Sequence, residues 1–297
     1  FLSIEQVVEI ICNDSHVEFR RYKVLLEDNV IVVKTPKGLI HKFIYSNTPS
    51  QQIPWIGKVD LFLECSGKNT ERSSAGVFLK DKTKHVIISA TSWDPDATLV
   101  FGFNHLEYKK SQKIISYGSC TVNAFVALTA CIDDLFSVNS SDVNVIHNVP
   151  EYQLLNGSIE TPGLPQVPIK RKGCTLSKVA PTLLKCVSDD NFNVNYTLIP
   201  YTGVSIIDYR YNLEKNPSEQ FWDLLEHECK NGRLKGLYEI QEKDMGPEVH
   251  QNSKYSSVII KENSSIRGND VFLNAYFDNE NSVNRFFDLT NYIITCL

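Results

Sequence analysis

Val59-Asp-Leu-Phe-Leu-Glu-Cys-Ser-Gly67 is a short apolar run that ends in small turn residues, and two further runs follow it, Lys84-His-Val-Ile-Ile-Ser-Ala90 and Lys113-Ile-Ile-Ser116. Apolar runs of this length bounded by turn residues predict buried strands. Thr70 with Glu71 behind it predicts a helix start between the first two. Strand, helix and strand at this spacing predict a parallel α/β sheet. Upstream, Lys23 to Ile44 alternates apolar and polar residues around Asp28-Asn29, which predicts antiparallel hairpins.

Downstream the pattern changes. Gly118-Ser-Cys-Thr-Val-Asn123 leads into Phe125, Leu128, Ile132 and Leu135, whose spacings of three and four predict an amphipathic helix. Val143 to Asp208 mixes strands with a loop carrying Pro162, Gly163, Pro165 and Pro168. Asn216-Pro217 predicts the cap of a helix that runs to Asn231 and stops at Gly232. Strands are expected at Ser256 to Lys261 and Val271 to Tyr276, and a last helix from about Asn281.

Composition narrows the function. With 297 residues, 42% of them hydrophobic, the chain can bury the core of one large domain or two ordinary ones. A net charge of -5 gives no general electrostatic reason to bind nucleic acid or an anionic membrane. No apolar run approaches the roughly 20 residues of a membrane helix. The eight cysteines form no C-x-x-C pair, so no metal site is expected, and without a leader pattern reduced thiols in the cytoplasm are expected. The first residue is Phe1 and the one methionine is Met245, so the sequence is expected to be a fragment, a processed product or a trimmed chain.

Cys120 stands between a strand and a helix. The free N–H groups and dipole of a helix N-terminus favour an anion, so a lowered thiol pKa is expected. The same N–H groups suit an oxyanion formed when sulfur adds to a carbonyl. Val145-Ile-His-Asn148 follows one helix and one strand later, a spacing that returns His147 to the strand end as base or ion-pair partner. Taken alone, these residues leave open a structural cysteine and a satisfied core histidine.

The hexapeptide at Cys120 resembles the Ala-Ser-Cys-Thr-Thr-Asn motif of the glyceraldehyde-3-phosphate dehydrogenase family. Glu64-Cys-Ser-Gly67, Ala75-Gly-Val-Phe-Leu-Lys80, Val86-Ile-Ile-Ser-Ala-Thr-Ser92 and Gly102-Phe-Asn-His105 resemble its nucleotide domain in order. Leu213-Glu-Lys215, Leu234-Lys-Gly236, Phe277-Asp-Asn-Glu280 and Asn284-Arg-Phe-Phe-Asp-Leu289 resemble the remainder. The resemblance implies an α/β fold: an incomplete Rossmann-type parallel-sheet domain over 1–119, completed by helix 281–297, and an α+β catalytic domain with a mixed or antiparallel sheet over 120–280. It implies that Cys120 is the nucleophile and His147 its activator, with Ser119, Thr121, Lys172 and Gly173 at the substrate. Ser66, Gly67, Ser89 and Asn279 would face an NAD cofactor, Asn279 through the nicotinamide carboxamide. It also implies an aldehyde substrate, inorganic phosphate as co-substrate, and a homotetramer.

Departures from the family pattern keep a second reading open, a degenerate paralogue serving as a structural or interaction subunit. The family's Gly-Phe-Gly-Arg-Ile-Gly turn has no counterpart in this sequence, and Phe1 aligns just past the second family strand. The family's phosphate-binding arginine aligns with Leu198, a threonine with Pro150, and a Thr-Gly turn with Lys172-Gly173. Lys170-Arg171-Lys172 either supplies the missing charge or is a solvated basic loop.

Overall fold

The computed structural model of the chain describes residues 2–13, 22–149, 169–217 and 220–297. By packing, the chain divides into two compact units, residues 1–62 with 77–84 and residues 63–76 with 85–297. Position 119/120, the expected domain boundary, lies inside the second unit. Pro150 and the Pro/Gly loop at 162–168 lie outside the described residues.

The first unit holds α1 (Ile4–Asn13), β1 (Lys23–Glu27), β2 (Val30–Lys34) and β3 (Ile40–Ile44). The three strands form an antiparallel sheet in sequence order, as the alternation predicts. Asp28 turns the first hairpin at φ 52°, a conformation that Asp and Asn tolerate better than most residues. Ile31 and Val33 of β2 pack with Ile4, Val7, Val8 and Ile11 of α1, so the sheet buries one face on the helix.

Strand β4 (Leu61–Glu64) begins in the last two residues of the first unit's long segment and ends in the second unit, where α2 (Arg72–Ala75), β5 (His85–Ile88), β6 (Ala97–Thr98) and β7 (Ile114–Ser116) follow. The strands form a sheet in the order β4-β5-β7-β6, with β5 and β6 both parallel to β7. The three apolar runs thus become three neighbouring strands, and β6 adds a two-residue edge. The helix starts later than Thr70 suggests. Its N-cap is Glu71, without a side-chain cap, because Asp94 reaches across to take the Arg72 N–H at 2.8 Å.

There follow α3 (Cys120–Phe136), β8 (Val138–His147), β9 (Lys170–Arg171), α4 (Leu176–Leu183), β10 (Phe192–Leu198) and β11 (Ser205–Leu213). The chain ends with α5 (Gln220–Lys230), β12 (Tyr238–Gln241), β13 (Ser257–Arg267), β14 (Asp270–Phe277) and α6 (Glu280–Cys296). A seven-stranded sheet runs β12-β13-β14-β11-β8-β10-β9. It is mixed: β8–β10 and β12–β13 are parallel, and the other pairs are antiparallel. The architecture is therefore a mixed α/β fold with a parallel sheet and a mixed sheet, the class expected.

Helix α3 forms where the spacing predicts a helix, but it is enclosed on more than one side. Every residue from Thr121 to Thr129 is buried, because α4, α6 and β8 all pack on it. Its polar residues enter the core with partners. Asn123 Nδ2 donates to the Tyr117 and Ser119 carbonyls at 3.1 and 3.0 Å, and Thr129 shares a 2.9 Å hydrogen bond with the Tyr211 hydroxyl. Asn123 Oδ1 is buried without a hydrogen-bond partner among the described residues, so this pairing is incomplete. Among the described residues no helix is long and apolar enough to cross a membrane.

Candidate active site

Strand β7 ends at Ser116, and the chain must turn at once into α3. Gly118 makes the turn at φ +88°, and a Cβ there would stand 2.8 Å from Val122 Cγ1. Both the backbone conformation and the space therefore call for glycine. Ser119 is the N-cap, and its hydroxyl accepts the Val122 N–H at 3.3 Å. Cys120 is then the first residue of the helix and remains partly exposed to solvent.

His147 closes β8. Its Nε2 lies 3.5 Å from Cys120 Sγ, and its Nδ1 lies 2.7 Å from the Asn148 carbonyl oxygen. A carbonyl only accepts, so Nδ1 carries the proton, and in the neutral ring Nε2 presents a lone pair to the sulfur. Tyr196 and Phe277 flank the ring, with centroids at 5.4 and 5.6 Å. Sequence separation is bridged by the sheet: β8 carries His147, and α3 packs against that strand.

The ionisation state differs from the expectation. Burial and the neighbouring Cys174 push the Cys120 thiol up to about 12, against the backbone N–H groups of Thr121 and Cys120, which pull it down. Burial also lowers His147, and the Lys172 ammonium lowers it further, while the Asn148 carbonyl opposes them. The resting pair is therefore a neutral thiol facing a neutral imidazole, not a standing thiolate. A helix N-terminus alone does not offset the loss of solvent at this depth.

His85, His105 and His250 are lowered by burial as His147 is. Each binds its proton less readily folded than unfolded. The unfolded chain therefore takes up more protons below the ordinary histidine value of 6.5, and stability rises with pH through that window. The melting temperature should accordingly fall as pH drops from about 7 to about 5, before the carboxylates titrate. A flat melting temperature across that range, followed by differential scanning calorimetry, would show that these rings remain solvated.

The other expected residues fall in two groups. Ser66 and Gly67 follow β4, Ser89 follows β5, and Cys120 follows β7, so all lie beyond the carboxyl ends of these strands, where α/β sheets take ligands. Ser89 N donates to the Glu64 carbonyl at 2.9 Å, and Thr91 Oγ1 to the Gly118 carbonyl at 3.3 Å, tying the three strand ends together. Asn279 Nδ2 donates to Asn148 Oδ1 at 3.1 Å, next to His147. On the other side, Lys172 and Gly173 are exposed, and the Lys172 charge reaches His147. Thr121 is 2% exposed, and its hydroxyl meets Ser119 Oγ and Cys174 Sγ, so it supports the site from beneath.

Sequence reasoning missed Asn148, Tyr196 and Cys174. Asn148 binds Ser205 through its amide N–H and through Oδ1, each at 3.1 Å, and donates to the Gly203 carbonyl. Its place immediately after His147 was the available signal. Tyr196 and Cys174 arrive through strand register and a loop, which no local pattern announces.

No protein-family model matches the chain. Curated proteins do resemble it. Cytosolic glyceraldehyde-3-phosphate dehydrogenase of Dianthus caryophyllus is 25% identical over 295 residues, 94% of this chain and 84% of that protein. Glyceraldehyde-3-phosphate dehydrogenase 1 of Bacillus cereus is 27% identical over 285 residues, 91% and 82% of the two. The glyceraldehyde-3-phosphate dehydrogenase of Atriplex nummularia is 29% identical over 256 residues, 80% and 67%. The chain is a distant relative of these dehydrogenases.

Proposed function

We propose that this chain oxidises an aldehyde of the glyceraldehyde 3-phosphate type with NAD and inorganic phosphate, through a thioester on Cys120, as a cytoplasmic glycolytic homo-oligomer. The observation that carries the reading is the 3.5 Å pairing of Cys120 Sγ with the lone-pair nitrogen of His147. Cys120 gives its proton to His147 Nε2 as sulfur bonds to the aldehyde carbon. The N–H groups of Cys120 and Thr121, in the open first turn of α3, would hold the alkoxide oxygen. His147 returns the proton to that oxygen and takes it back when the thiohemiacetal is oxidised. The Nδ1 hydrogen bond to Asn148 holds the ring in place through both transfers. A bound nicotinamide would supply the hydride acceptor for the thiohemiacetal carbon. Phosphate then attacks the thioester carbonyl, and the departing Cys120 sulfur recovers its proton from His147.

The residues present fit the nicotinamide end of the cofactor. Gly67 sits at φ +67° with open space where a Cβ would stand. Glu64 is 3% exposed, and its Oε2 has no hydrogen-bond partner among the described residues, so it can accept an incoming amide or hydroxyl. Its Oε1 meanwhile accepts from Ser66 and from Asn69 Nδ2 at 3.1 Å, which fixes the turn.

Aldehyde and saturating NAD without phosphate should give a burst of reduced cofactor matching the protein concentration, and an acyl group on Cys120 by peptide mass mapping. Added inorganic phosphate should release that group. An acyl-free Cys120 under these conditions would remove the chain from this reaction class.

A further inference from the structure

A second thiol stands at the site. Cys174 Sγ lies 3.6 Å from Thr121 Oγ1, and Thr175 Oγ1 lies 3.4 Å from Ser119 Oγ. Residues 174 and 175 therefore flank the two neighbours of Cys120. The two thiols interact electrostatically with each other, and both act on the Tyr196 hydroxyl. Cys120 and Cys174 are both partly exposed. Cys174 sits just before α4, where Leu176 is fully buried and anchors the segment. The other candidates are worse placed. Cys131 is buried deeper in α3, Cys229 is buried, and Cys65 is exposed after β4.

We infer that Cys174 is a resolving thiol, forming a reversible disulfide with Cys120 when a hydroperoxide oxidises the site. The first step mirrors attack on an aldehyde. Cys120 passes its proton to His147, and the sulfur attacks the distal oxygen of the hydroperoxide. An S–O bond forms, the O–O bond breaks, and the alcohol or water leaves with the proton from His147. This gives a sulfenic acid. Cys174 sulfur then attacks Cys120 sulfur, the S–S bond forms, the S–O bond breaks, and water leaves with the Cys174 proton. Two thiols and one hydroperoxide become one disulfide, one alcohol and one water. A dithiol reductant reverses the change by becoming a disulfide itself. Capture of the sulfenic acid in this way keeps Cys120 from the irreversible sulfinic stage.

The inference rests on the proposed function only in taking Cys120 as the reactive thiol, and its readout needs no turnover. The full chain is treated with hydrogen peroxide, blocked with N-ethylmaleimide, digested without reductant and mapped by mass spectrometry. The expected product is a linked Cys120–Cys174 peptide that disappears on treatment with dithiothreitol. Cys174→Ser should lose that peptide, and its irreversibly oxidised Cys120 should rise several-fold. Cys174→Ala, which keeps the small volume without a hydroxyl, should behave as the serine variant does. A linked Cys120–Cys65 peptide would overturn the inference. So would sulfinic Cys120 beside an alkylated Cys174 in the unsubstituted chain. A disulfide without aldehyde oxidation would count against the proposed function alone.

Discussion

Replacing His147 with asparagine should slow acylation of Cys120 by about 10²–10⁴-fold near neutral pH. The size follows from the resting state. With the thiol pushed up to about 12, very little thiolate exists near neutrality without a base beside it. His147 Nε2, 3.5 Å away, takes the proton as the sulfur attacks. Asparagine keeps a polar group there but has no comparable basicity. The same change should move the pH profile of iodoacetamide labelling at Cys120 upward, since the sulfur must then ionise alone. Stopped-flow acylation and a labelling series across pH measure the two effects. Unchanged labelling would mean that the thiol is activated by the helix terminus alone, and His147 would lose its role.

The second large effect concerns phosphate. Leu198 pairs with His147 in the parallel β8–β10 register, so it lies on the histidine's face of the sheet. An alkyl group there offers no hydrogen bond to a phosphoryl group. A charge-assisted hydrogen bond contributes roughly 1.5–3 kcal/mol, or about 10- to 150-fold in binding. Leu198→Arg should therefore raise kcat/KM for the phosphorylated aldehyde by about that factor over the unphosphorylated one. The unsubstituted chain should discriminate poorly between them. Steady-state kinetics with both aldehydes decides it. The opposite result is a strong native preference that Lys172→Met abolishes. Lys172, whose backbone N–H donates to the Tyr196 carbonyl at 3.1 Å, would then have assumed the arginine's task.

What was legible in the sequence was what short-range pattern encodes. The three apolar runs became strands, the Asp28-Asn29 alternation became a hairpin, and the Gly118 hexapeptide marked a strand-to-helix turn. Spacing made Cys120 and His147 candidates, the family resemblance singled them out, and the fold brings them within 3.5 Å. The rest depends on register and depth. Nothing near Tyr196 says that β10 pairs with β8 and lays its ring beside His147. Nothing near Cys174 places it beside Thr121. The helix N-terminus suggested a thiolate because its dipole is a local property. Desolvation by the surrounding core is a global one, and at Cys120 it outweighs the dipole although the residue keeps some exposure. The same limit hid how fully α3 is enclosed, since the spacing of Phe125, Leu128, Ile132 and Leu135 predicts only an amphipathic helix.

The burial of α3 has a consequence for how the molecule ages. Its proposed nucleophile and its most hidden thiol share a single rod. Cys120 is partly exposed at the first turn, whereas Cys131, three turns on, is 1% exposed. A reagent reaches the first in the native molecule but the second only when the surrounding core opens. For a domain of ordinary stability, about 5 kcal/mol or more, that opening holds the second rate roughly 10³-fold or more below that of a free thiol. The ratio of the two modification rates is thus an internal clock. A sample that loses activity while Cys131 stays silent has suffered chemical damage at its site. One in which both thiols react together has come unfolded.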